Sequence, residues 1–91
     1  MKIVLNKCFG GFGLSQAATD LLPADVQWSE YANRTDVRLV EVIELLGPSA
    51  NGRHADLSII VVPEEATDWT IEDYDGIETV LYVLDGKIYR A

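Results

Sequence analysis

Residues 36–63 read D-V-R-L-V-E-V-I-E-L-L-G-P-S-A-N-G-R-H-A-D-L-S-I-I-V-V-P, and the two ends of this stretch follow different periods. At the start, Leu39, Val42, Ile43 and Leu46 recur at i, i+3, i+4 and i+7, which is one face of a helix. Thr35 or Asp36 can cap its first turn, and Gly47-Pro48 stops it. Arg38, Glu41 and Glu44 lie on the other side as a solvated face. Val37, Val40 and Leu45 widen the apolar surface, so the helix is expected to pack on a sheet. At the end, Leu57–Val62 is almost wholly apolar and rich in β-branched residues, a strand ended by Pro63. Ser49 to His54 is the polar connection, with Asn51-Gly52 as its turn.

Working outward, residues 2–8 (K-I-V-L-N-K-C) predict a strand whose unbroken Ile3-Val4-Leu5 run expects cover on both faces. Phe9-Gly10-Gly11-Phe12-Gly13 breaks that pattern, and Ser15 is the expected N-cap of a short helix through Leu22, stopped by Pro23. Residues 23–35 show no period. Trp28 and Tyr31 are apolar anchors there, in an expected irregular loop. On the C-terminal side, strands are predicted over Trp69–Tyr74, Ile77–Leu84 and Lys87–Arg90, joined by the tight-turn pairs Asp75-Gly76 and Asp85-Gly86. The fold class expected is α+β. One domain, residues 1–91, would place two helices on a mixed, mostly antiparallel sheet with a C-terminal β-meander.

With 91 residues there is room for one domain, and 48% hydrophobic against 24% charged residues excludes a disordered chain. There is no apolar run of membrane-spanning length, and the apolar start is too short for a secretory signal. Cys8 is the only cysteine, which leaves no internal disulfide and fits a reducing, cytoplasmic setting. A chain this short buries only about 60–65% of its unfolded surface, so a homodimer is the expected remedy.

The net charge of −8 argues against direct nucleic-acid binding and against anionic membranes. Its placement is uneven. From Asp56 onward nine acids face only Lys87 and Arg90, whereas the first 55 residues hold six acids and five bases. Glu72, Asp73, Asp75 and Glu78 form the densest group and are the candidate partner-binding residues. Asp75 is first of all a turn residue, and an alternating strand separates Glu72 from Asp73. A hard-cation site at these carboxylates lacks the spacing of a calcium loop, so no metal is expected. The glycine loop is a second candidate: Phe9, Gly10, Gly11 and Phe12, with Arg53, could hold a nucleotide between rings and on backbone N–H groups. It lacks the lysine and hydroxyl of a P-loop. Cys8 and His54 are each alone, which leaves no nucleophile–base pair recognisable in the sequence, and no cofactor is expected.

Three stretches taken together, K-I-V-L-N-K-C-F-G-G-F-G-L-S (2–15), E-L-L-G-P-S-A-N-G-R-H-A-D-L-S-I-I-V-V-P (44–63) and D-W-T-I-E-D-Y-D-G-I-E-T-V (68–80), resemble a family of small uncharacterised phage and prophage proteins. Asn6, Cys8, Gly10, Gly11, Leu14, Ser15, Ala50, Asn51, Gly52, Pro63, Trp69, Tyr74, Asp75, Gly76 and Glu78 carry the match. The chain departs from the pattern in a short 23–35 segment and in a C-terminal hairpin extended through Leu81–Gly86. The resemblance implies a phage or mobile-element origin and carries no activity with it. The function expected is a non-enzymatic binding protein that inhibits a host defence protein, its acidic face set against a basic surface. The alternative is a small-molecule or nucleotide sponge built on the loop at 9–13.

Overall fold

Strand β1 (Lys2–Asn6) runs through the middle of the molecule, with Ile3, Val4, Leu5 and Asn6 wholly shielded from solvent. The computed structural model describes residues 1–91. As the unbroken apolar run predicts, β1 is covered on both faces. It pairs antiparallel with β2 (Leu57–Val61), Val4 lying opposite Ile59. Alternation then divides the core in two. Val4, Leu57 and Ile59 face the helices α1 (Gln16–Asp20) and α2 (Val37–Leu46), meeting Ala18, Leu39, Val40 and Ile43. Ile3, Leu5, Ile60 and Val62 face the other way, onto Ile71 and Val80 of a second sheet.

That second sheet is the antiparallel meander β3 (Asp68–Tyr74), β4 (Ile77–Leu84) and β5 (Lys87–Arg90). The protein is therefore an α+β domain of two helices and antiparallel strands ending in a meander, stacked as helices, two-stranded sheet and three-stranded sheet. The strands form two sheets rather than one, and every pairing is antiparallel. The physical reason lies at the edge of β1 away from β2. Its backbone groups are already satisfied: Val4 N–H donates to the Arg34 carbonyl at 2.9 Å and Val4 C=O accepts from Arg34 Nη1 at 3.2 Å. With no open edge there, the meander lies across the face of β1 instead of extending its ladder.

Helix α2 starts where the periodicity begins. The Asp36 carboxylate accepts the Arg38 N–H at 2.9 Å, and Gly47 closes the last turn in the left-handed region. Helix α1 is shorter than its pattern, ending at Asp20 with Leu21 as its cap; Ser15 caps its start through the Ala18 N–H. The loop at 23–35 contributes Trp28 to the helix-side core and holds a single 3-10 turn, Tyr31–Asn33. The Arg38 side chain, hydrogen-bonded to Asp36, keeps that carboxyl below the usual aspartate range, helped by the Arg38 backbone N–H. The folded pKa is depressed, so the charge contribution is complete above the ordinary value and is lost as pH falls through the folded one. Asp36→Ala is expected to lower the thermal midpoint at neutral pH. Asp36→Asn keeps an acceptor for the cap, and its deficit against wild type should close in acid. Circular-dichroism melts from neutral pH into strong acid check both.

Candidate functional site

The only large charged side chains removed from water are Arg34 and Glu78, each about 1% exposed. They form a bidentate pair: Arg34 Nη1 to Glu78 Oε1 at 2.6 Å, and Nη2 to Oε2 at 2.7 Å. Every other polar group of the pair is also used. Arg34 Nε and Nη2 donate to the Ser29 carbonyl at 3.2 and 2.8 Å, and Glu78 Oε1 accepts the Asn6 N–H at 2.7 Å. The guanidinium lies over the Phe12 ring, 3.8 Å from its centroid. The pair closes the far edge of β1 in place of a strand and ties the 29–34 loop to β4. Lys7 reinforces the junction by donating to the Glu78 carbonyl at 2.8 Å. Burial pushes the Lys7 ammonium below its ordinary pKa, against the pull of the Glu78 carboxylate.

Glu78 is therefore not available to a partner, contrary to the expectation from its place in an acidic run. Its neighbours do not form one patch either. Glu72 points to the outer face of the meander and is paired with Arg90 at 3.0 Å. Asp73 points the other way, and its carboxylate accepts the Gly76 N–H at 2.9 Å across the turn. Asp75 has φ of 52° in that turn. The four acids are close in sequence but differ in setting: alternation puts Glu72 and Asp73 on opposite faces, Asp75 is held in the turn, and Glu78, opposite Asp73 across β3–β4, is the one that is buried.

The glycine loop is likewise occupied by the protein itself. Gly10 N–H donates to the Asp75 carbonyl at 3.3 Å, and a Cβ on Gly10 would meet the His54 carbonyl oxygen at 2.6 Å. The loop is packed between the β3–β4 turn and the 52–54 turn. Phe12 is held by Arg34, while Phe9 is 65% exposed, so the two rings do not bracket a planar ligand. Arg53 is exposed in the neighbouring turn, and none of the surface cavities is lined by residues 9–12 or 53. The Cys8 thiol lies 3.3 Å from the His54 carbonyl and 3.6 Å from Asn6 Oδ1, both ordinary acceptors. No cluster of His, Cys, Asp and Glu is arranged to hold a metal ion. No helix is long and apolar enough to cross a membrane.

What the structure brings together is the outer face of the meander. Alternation places Tyr74, Ile77, Leu81, Val83 and Ile88 on the side of β3–β5 away from the core, and no element covers them. Tyr74 and Ile88 are about three-quarters exposed. A shallow cavity of about 140 Å³ lies over Asp68, Thr70, Leu81, Val83 and Ile88. At this end of the sheet the loop 63–67 meets the last residues of β4, through Thr67 N–H donating to the Val83 carbonyl at 2.9 Å. Glu64 and Glu65 of that loop, Asp68 at the start of β3 and Asp85 just after β4 have no ion-pair partner. None of these four is among the partner-binding candidates read from the sequence, where Asp85 figures as a turn residue, and the apolar stripe beside them is not among those candidates either. Both parities of β4 are largely apolar, which is the signal that a strand has two faces to bury. Family models, characterised proteins and solved structures were all compared with the chain, and none of them matches it.

Proposed function

We propose that the protein is a non-enzymatic binding module of a phage or mobile element, and that it inhibits a host protein by covering a basic surface with the outer face of β3–β5. One observation carries this reading: an apolar stripe (Leu81, Val83, Ile88) left uncovered beside unpaired Asp68 and Asp85. Contiguous apolar surface rimmed by charge is characteristic of an interaction site. The net charge of −8 would steer a cationic partner toward it, and the stripe would supply the desolvated centre. The origin rests on the resemblance of the three motif stretches. The acidic face invoked from the sequence is thereby moved from residues 72–78 to the opposite end of the meander.

The test is quantitative capture from a bacterial lysate, with wild-type bait compared against Asp68→Asn/Asp85→Asn and against Ile88→Ser. A true partner binds wild type at low salt. Its affinity falls about tenfold or more for each variant, and the wild-type complex weakens as salt rises. A partner whose affinity ignores both variants, or is unchanged between low and high salt, removes this face from the function.

A further inference from the structure

Three strand edges are open in this fold, and they are not equally protected. The free edge of β3 carries Asp68, Glu72 and Asp73, and that of β5 carries Lys87 and Arg90. Edge charges of this kind discourage pairing with another chain. The free edge of β2 has none: Leu57–Val61 reads L-S-I-I-V, with no charge and no proline. Met1 and Val62 exchange backbone hydrogen bonds at 2.8 Å in each direction, and Lys7 N–H donates to the Asp56 carbonyl. Ladder alternation then turns the N–H and C=O of Ile59 and Val61 away from β1. Neither residue finds a backbone or side-chain partner on that side; of the outward N–H groups only that of Leu57 does, at Asn51 Oδ1. Val61 is 67% exposed.

We infer that β2 is the seam of a two-fold homodimer, pairing antiparallel with β2 of a second copy about Ile59. In that register Ile59 faces the partner's Ile59, and Leu57 faces the partner's Val61. The Ile59 pair exchanges two backbone hydrogen bonds. Each Leu57–Val61 pair adds one, because the Leu57 N–H is already held by Asn51. The cross-strand contacts on the helix side are all aliphatic, and the exposed Val61 is covered. Edge accounting then closes. The merged sheet runs β1-β2-β2-β1, and its two outer edges are the ones already filled by Arg34 and Glu78.

Charge selects a second copy, and selects antiparallel over parallel pairing. Arg53 and His54 precede β2, and Glu64 and Glu65 follow it; all four are exposed and outside any ion pair. The two-fold register carries the Arg53 end of one copy to the Glu65 end of the other, twice over. Asp56, also at the first end, falls opposite the partner's Val62 and adds no like-charge contact in the register. A parallel arrangement would bring acid to acid.

Sedimentation of the full chain over a range of concentrations tests this, together with hydrogen exchange. Wild type is expected to dimerise, and the Ile59 and Val61 amides to gain protection as concentration rises. Val61→Pro removes one donor that β1 does not use, and Val61→Glu places a carboxylate at the seam while facing Lys2 across β1–β2. Each should weaken the dimer about tenfold or more and leave the melting of dilute protein unchanged. Arg53→Glu should weaken it about threefold, and Arg53→Glu with Glu65→Arg should restore it. Leu45→Lys, at an exposed position beside the α1–α2 groove, should have no effect. A monomer at all concentrations, or a dimer with unprotected Ile59 and Val61 amides that survives both Val61 variants, overturns the assignment.

Discussion

Glu78→Gln is expected to destabilise the protein by about 3–5 kcal/mol, the cost of leaving one member of a buried ion pair without its counter-charge. Domains of this size are stable by only about 5–15 kcal/mol, so the variant should stand at the margin of folding. Arg34→Met should cost a similar amount, for the mirror-image reason. The informative variant is the double one. Replacing a buried pair by two apolar residues often recovers the loss, because two desolvation penalties disappear together. Here it should not. Arg34 also satisfies the Val4 and Ser29 carbonyls, and Glu78 satisfies the Asn6 N–H. Arg34→Met with Glu78→Leu would strip these backbone groups of their partners, at about 1–3 kcal/mol for each that stays buried. Urea denaturation of the three variants distinguishes the cases. A double variant as stable as wild type would mean that the pair is not the edge of β1, and the account of why the meander stacks would fall with it.

The same pair explains which parts of the fold could be read from the chain. Elements whose sidedness is set by local periodicity are legible: α2 from its i, i+3, i+4, i+7 stripe, β1 and β2 from apolar runs, and both hairpins from Asp-Gly. Residues 23–35 have no period, because their work is done far away. Arg34 meets Glu78 across 44 positions, and nothing local to either residue announces the other. In Ile77–Leu84 one parity (Ile77, Thr79, Leu81, Val83) is as apolar as the other (Glu78, Val80, Tyr82, Leu84). Hydrophobicity alone would turn Glu78 outward. It is turned inward because Val80 and Ile71 must cover Ile3 and Leu5, and Glu78 shares their face. The outer stripe was hidden by the same ambiguity. A sheet stacked on one side only leaves its second apolar parity in water, so the candidate surface and the misjudged glutamate have one origin.

Gly76→Ala should be the most damaging change to a single surface turn, and Gly86→Ala its control. The two Asp-Gly turns share a backbone form: Asp75 and Asp85 both have φ of 52°, and Gly76 and Gly86 have φ of 91° and 75°. An added Cβ at Gly86 meets nothing within 4 Å, so its cost is the left-handed backbone alone, about 1 kcal/mol. At Gly76 the same methyl would lie 2.8 Å from the Gly10 backbone nitrogen and overlap that of Gly11. Neither neighbour is the yielding tip of a side chain, so either the turn or the 9–13 loop must move. Movement of the turn breaks the Asn6 Nδ2 bond to the Gly76 carbonyl at 2.6 Å, and Asn6 N–H is held by Glu78 two residues further along β4. The strain therefore reaches the buried pair, and a cost of about 3 kcal/mol or more follows. Urea denaturation of Gly76→Ala and Gly86→Ala measures the difference directly. Equal costs would show that the glycine loop yields freely. Its amides would then not be committed to the β3–β4 turn, and the loop would regain the freedom to close on a ligand that the packing now denies it.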